Sequence, residues 1–97
     1  MSITRDDYDI GRLEAMVPEH LRNGLRLYIE QGVKPGSFLM GVLENDLRNA
    51  IFKGDTDSLA GLRPLVLFLH NYAPGECHGN PTRVANWMIS RGLRGVA

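Results

Sequence analysis

A single cysteine, Cys77, excludes an internal disulfide and fits a reducing compartment. Charge of neither sign is in excess, since 11 basic side chains balance 11 acidic ones. Nucleic-acid coats and membrane-surface binders ordinarily carry a basic surplus, so both classes lose ground. A near-zero charge also lowers the self-repulsion that keeps proteins apart. Long hydrophobic runs are missing too. The longest, LVLFL at residues 65–69, falls far short of the about 20 residues that cross a bilayer. The N-terminal MSITRDDYDIGRLEAM places acids where a secretory signal needs an apolar core. Internal repeats, low-complexity segments and alternating runs long enough for a strand are absent as well. Together these absences lead to the expectation of a soluble protein of the cytoplasm, not associated with a membrane.

What the chain does contain is ordinary globular material: 97 residues, 43% hydrophobic and 23% charged. That composition argues against disorder and for one domain over residues 1–97, with 1–8 and 93–97 expected to be flexible. The organising stretch is KPGSFLMGVLENDLRNA, residues 34–50. After the Lys34-Pro35-Gly36 turn, Phe38, Leu39, Val42, Leu43, Leu47, Ala50 and Ile51 recur at the spacing that stacks side chains on one helical face. This reads as one central buried helix, capped by Ser37 and ending near Lys53-Gly54. Its opposite face, Glu44, Asn45, Asp46, Arg48 and Asn49, reads as solvated. Asp46 lies closest to the apolar stripe and, if buried, would look to Arg22 or Arg26 for a partner.

Before this helix, Asp9 can cap a short helix ending at Met16, with Ile10, Leu13 and Met16 as its stripe. Pro18 suits the first position of the next helix, and Gly32 suits its left-handed end after Gln31. Leu21, Leu25, Tyr28 and Ile29 share a face there, and Gly24 leaves room for a close neighbour. After the turn at residues 54–57, Thr56 or Asp57 can cap a helix whose inner face is Leu59, Leu62, Leu65, Val66, Leu69 and Tyr72. Pro64 either kinks that helix or begins it after a short turn at residues 58–62. Residues 65–69 are apolar all round, which fits full burial or one face covered by another chain. Residues 73–79 form a loop, and Asn80-Pro81 starts a last helix carrying Val84, Ala85, Trp87, Met88 and Ile89. Gly92 ends it and residues 93–97 follow as a tail. The expected architecture is all-α: a small irregular bundle of about four or five short helices around the central one.

Chemistry-bearing residues are few. His70, Glu76, Cys77 and His78 are zinc-ligand types, but neither a tight Cys-x-x-Cys nor a His-x-x-x-His pair is present. Cys77 with His70 or His78 lacks an orienting partner for nucleophilic catalysis. No catalytic residue, metal or cofactor is therefore expected. From Asn80 onward the chain has Arg83, Arg91 and Arg94 and no acid. Arg91 and Arg94 suit a helix C-terminus, while the set could also touch phosphate or an acidic protein. A helix-turn-helix is a poor fit, because the loop at residues 73–79 exceeds the usual three or four residues. Trp87 and Tyr72, with Phe68 and Met88, could anchor an interface or fill the core.

The segments Asn23-Gly24-Leu25-Arg26-Leu27-Tyr28-Ile29 with Gly32, Pro35-Gly36-Ser37-Phe38-Leu39 and Val42-Leu43-Glu44-Asn45-Asp46-Leu47 resemble a largely uncharacterised family of small proteins encoded by tailed bacteriophages and prophages. A second block, Phe68-Leu69-His70-Asn71-Tyr72-Ala73-Pro74 with Cys77, Gly79 and Trp87, resembles the same family, so the likeness spans roughly residues 18–88. His78 stands where that family more often has tryptophan, which weakens a metal or catalytic role for it. The resemblance implies an accessory protein of the bacterial host cytoplasm and assigns no functional residue. Proteins of this kind commonly bind and block a host protein, components of defence systems included. The expected function is accordingly protein–protein binding without catalysis. The partner would be a bacterial host protein, with Arg83, Trp87, Arg91, Arg94, Phe68 and Tyr72 as interaction residues. A homodimer through residues 65–72 or the Trp87 region is a further expectation. Nucleic acid is the less favoured partner, and the alternative function is a nucleic-acid-binding regulator using the basic C-terminal helix.

Overall fold

Asp9 opens the fold as its sequence requires: its Oδ1 accepts a hydrogen bond from the Arg12 backbone N–H at 3.0 Å and caps α1 (Ile10–Met16). The structure, a computed structural model, describes residues 8–96. Its elements continue with α2 (Glu19–Gln31), α3 (Ser37–Leu43), α4 (Leu47–Lys53), α5 (Thr56–Ala60), α6 (Leu62–Tyr72), a 3-10 turn at Gly75–Cys77, α7 (Pro81–Ile89) and α8 (Gly92–Val96). The all-α class holds, and the described residues contain no strand. The helices are more numerous and shorter than their periodicity implies, eight α-helices in all among the described residues. No helix there is long and apolar enough to cross a membrane.

The expected central helix is divided. Asn45 adopts a left-handed φ of 60°, its N–H donates to the Val42 carbonyl at 3.1 Å, and the Asp46 N–H donates to the Gly41 carbonyl at 2.8 Å. This is the two-bond closure of a Schellman motif, with asparagine in the place glycine usually takes. Asp46 then caps α4, accepting from the Asn49 N–H at 3.1 Å and from Asn49 Nδ2 at 2.9 Å. It therefore needs neither arginine: Arg22 donates to the Val17 carbonyl and Arg26 pairs with Glu30. The reversal folds α4 back on α3. Gly41 permits it, because a Cβ there would lie 2.7 Å from the Ala50 backbone nitrogen. Gly24, expected to admit a close neighbour, would meet only Leu39 Cδ1 at an ordinary 3.7 Å.

Tyr28 ties the core together. Its hydroxyl donates to the Cys77 carbonyl at 2.6 Å, and its own carbonyl accepts from Trp87 Nε1 at 3.0 Å. Leu13, Leu25, Ile29, Leu43, Leu65, Phe68 and Val84 pack around it without solvent contact. Residues expected to form a tail are part of this body. Gly92 adopts φ 63° and Arg91 φ 64°, which re-enters a helix instead of ending one, and α8 lies on α2 with Leu93 buried. Gly32 and Gly92 meet there nearly backbone to backbone, since a Cβ on Gly32 would come within 2.8 Å of the Arg91 Cα. Residues 1–7 and 97, expected to be flexible, lie outside the described residues. Tyr8 is buried and donates to Glu30 Oε2 at 2.9 Å.

Several boundaries move by a residue or two. Pro18 precedes α2 as its cap, and Ser37 is the first residue of α3 with Gly36 before it. Asp55, not Thr56 or Asp57, caps α5 by accepting from the Ser58 N–H at 2.8 Å. Pro64 is the third residue of α6. Its missing N–H has no intrahelical acceptor in a first turn, so no kink is required.

Candidate functional site

The residues named as interface anchors fall on both sides of the surface. Trp87 and Phe68 are core residues, buried by the packing around Tyr28, so neither can anchor a partner. Tyr72 is half-buried, with the Arg12 guanidinium 5.0 Å from its ring centroid. The basic C-terminal helix is really two short helices. Arg83 lies on α7, Arg91 in the turn that follows and Arg94 on α8; all three are exposed. Arg83 Nη1 donates to the carbonyls of Gly75 at 3.3 Å and His78 at 3.5 Å, which folds the guanidinium back over its own loop.

That loop does not assemble a reactive centre. Cys77 is fully buried, and burial, followed by the neighbouring Glu76 charge, pushes its thiol far above the usual range. A thiol held protonated is a poor nucleophile and a poor metal ligand. His70 is exposed on α6. His78 is half-buried, and burial lowers its pKa below the usual value. Its Nε2 is buried without a hydrogen-bond partner. Among the described residues, no group of three or more His, Cys, Asp or Glu side chains could hold a metal ion.

A polar cluster that the sequence does not advertise joins α2 to α5. His20 Nε2 lies 2.9 Å from Ser58 Oγ and 4.0 Å from Asp55 Oδ1. The Ser58 backbone N–H, and next its hydroxyl, hold the Asp55 carboxyl below its ordinary pKa. The groove beside them, about 390 Å³, is also lined by Lys53 and Phe38. Serine, histidine and aspartate are all present, but Ser58 and Asp55 face the same ring nitrogen. No proton can therefore pass through the imidazole from one to the other, as a hydrolase triad demands. The arrangement works as a latch between helices far apart in sequence. Its Asp55–Ser58 half is a local capping pattern, whereas nothing in the sequence points to His20.

The most conspicuous surface feature is apolar. Folding α4 back on α3 buries Ala50 but turns its other apolar residues outward: Leu47 is 66% exposed, Ile51 44% and Phe52 75%. On α6 the expected inner face rotates so that Leu65, Phe68 and Leu69 are buried while Val66 is 47% exposed. Leu47 and Val66 line one groove of about 70 Å³ together with Val42, Ala50, Leu62 and Asp46. Val33, Leu67 and Ile89 are also exposed, and some exposed apolar side chains are ordinary on a protein surface. The groove shared by α4 and α6 is different. It leaves unburied the kind of surface whose removal from water is worth roughly 25 cal/mol per Å². Comparison with family models, with curated proteins and with solved structures returns no match.

Proposed function

We propose that this chain is a small phage-type accessory protein that acts by binding a bacterial host protein, without catalysis, in the host cytoplasm. Inhibition of a defence system is one form this would take. The observation that carries the reading is the exposed apolar surface of α4 and α6, where Leu47 and Val66 share a groove and Ile51 and Phe52 of α4 are exposed as well. Apolar side chains left exposed around a groove are a feature of protein–protein contacts. The non-catalytic part is supported by the burial of Cys77 and by the shared nitrogen in the His20 cluster.

The test is capture of bound material from nuclease-treated bacterial lysate by the tagged wild type and by a Leu47→Asp/Phe52→Asp variant. The reading expects one dominant host protein, retained after nuclease and lost from the variant. Equal capture by both proteins would place the contact elsewhere. Material that vanishes with nuclease would turn attention to Arg83, Arg91 and Arg94 and to a nucleic-acid partner.

A further inference from the structure

Two glycines of this chain have neither a backbone nor a packing reason to be glycine. Gly24 lies inside α2 without a left-handed φ, where alanine would favour the helix. A Cβ there would meet only Leu39 Cδ1, at 3.7 Å. Gly36 adopts φ −67° and ψ 170°, a conformation open to most residues, and a Cβ there would meet nothing within 4 Å. Both glycines line the groove of about 390 Å³ beside the His20–Ser58 latch. What their missing side chains provide is the space itself.

Helices α2 to α5 all contribute to this groove, and its volume falls in the range of about 300–1,000 Å³ usual for small-molecule sites. Leu21, Phe38 and Leu39 supply its apolar lining. Lys53 and Asp55 add one charge of each sign. Lys53 forms no ion pair among the described residues. The carboxyl of Asp55, held low by Ser58, is ionised at neutral pH. The Ser58 N–H and His20 both lie against its Oδ1, which leaves Oδ2 able to accept from a ligand.

We infer that this groove is a binding site for a small zwitterion with an apolar side chain, the class of the apolar α-amino acids. The ligand's carboxylate would pair with Lys53 and its ammonium with Asp55, while its side chain would lie on Leu21, Phe38 and Leu39. A charge is worth holding in such a site only against its opposite. A simple anion would face Asp55 and a simple cation would face Lys53, each with a like charge to oppose it. A nucleotide would bring several negative charges to the same carboxylate. The inference goes beyond the protein-binding reading and does not depend on it.

The experiment is titration of the full chain with leucine and with phenylalanine, followed by amide NMR shifts and thermal unfolding. Isocaproate and isoamylamine, which keep only the carboxylate or only the amine of leucine, are the controls. At about 10 mM, enough to fill a site of millimolar Kd, leucine or phenylalanine should shift amides of α2, α3 and α5 and raise the unfolding midpoint. Each control should bind about tenfold more weakly or worse. Gly24→Leu should fold, as circular dichroism checks, and lose binding because its side chain occupies the groove. Lys53→Met and Asp55→Asn should each weaken binding by about tenfold, and asparagine keeps the α5 cap intact. Absence of a shift with both amino acids would overturn the inference, as would undiminished binding by a folded Gly24→Leu protein or by both charge variants. Isocaproate or isoamylamine binding as well as leucine would make this a site for an ion of one sign, and would overturn the zwitterion.

Discussion

α3 and α4 are both seven residues long, adjacent in sequence and both rich in apolar side chains, yet they have opposite fates. In α3, Phe38, Leu39, Gly41 and Leu43 are buried, whereas in α4 only Ala50 is. α4 is the more polar of the two, with Arg48, Asn49 and Lys53 where α3 has no charged residue, and the left-handed Asn45 turns it back over α3. The smallest apolar side chain of α4 then faces inward and Leu47, Ile51 and Phe52 face outward. Burial is decided by the direction of the chain after the turn, and apolar surface left outside by such a turn is available for binding.

The contrast can be broken most forcefully on the α3 side. Leu43→Ala removes a fully buried side chain and should cost about 2–5 kcal/mol. Leu47→Ala, four residues on and mostly exposed, should change stability by no more than about 0.5 kcal/mol. Urea denaturation of both variants checks the pair, and comparable losses would mean that α4 is buried in solution. Gly41→Ala comes next, because the new methyl would press on the Ala50 backbone. Overpacking of this kind should cost about 1–3 kcal/mol, visible as a lower midpoint in the same titration. Asp46→Ala removes the α4 cap and should cost about 1 kcal/mol, with a small loss of helical signal. The mildest change sharpens the turn itself. Asn45→Gly keeps the left-handed geometry without a side-chain penalty and should be neutral or stabilising by less than about 1 kcal/mol. A loss greater than that would mean the Asn45 side chain has a task beyond the turn.

Much of the helical skeleton was legible because its signals are local. Asp9 before α1, Gly32 after α2 and Asn80-Pro81 before α7 each state a cap through a few neighbouring residues. The inward face of α2 followed from spacing, with Leu25, Tyr28 and Ile29 buried, whereas of the apolar residues expected on α7 Val84 and Trp87 are buried and Ala85 and Ile89 are exposed. The break at Asn45 was not legible, since Asn45 and Asp46 sit among polar residues that suit a solvated helical face and a helix end equally well. Nor was α8, because Gly92 ordinarily terminates a helix and here, after a left-handed Arg91, begins one. The apolar face depends on α4 and α6 sharing a groove, and the His20–Ser58 contact on residues 38 positions apart. Both are properties of the folded chain, and no short window of residues encodes them.

Trp87 is the only tryptophan in the chain, and its indole N–H is committed to the Tyr28 carbonyl inside the core. The protein therefore carries its own optical reporter of whether α7 is seated on α2. Its emission should lie toward the blue while the two helices are joined and move to the red when water reaches the ring. Folding can thus be followed on unlabelled protein, with no fluorophore added near the α4–α6 face.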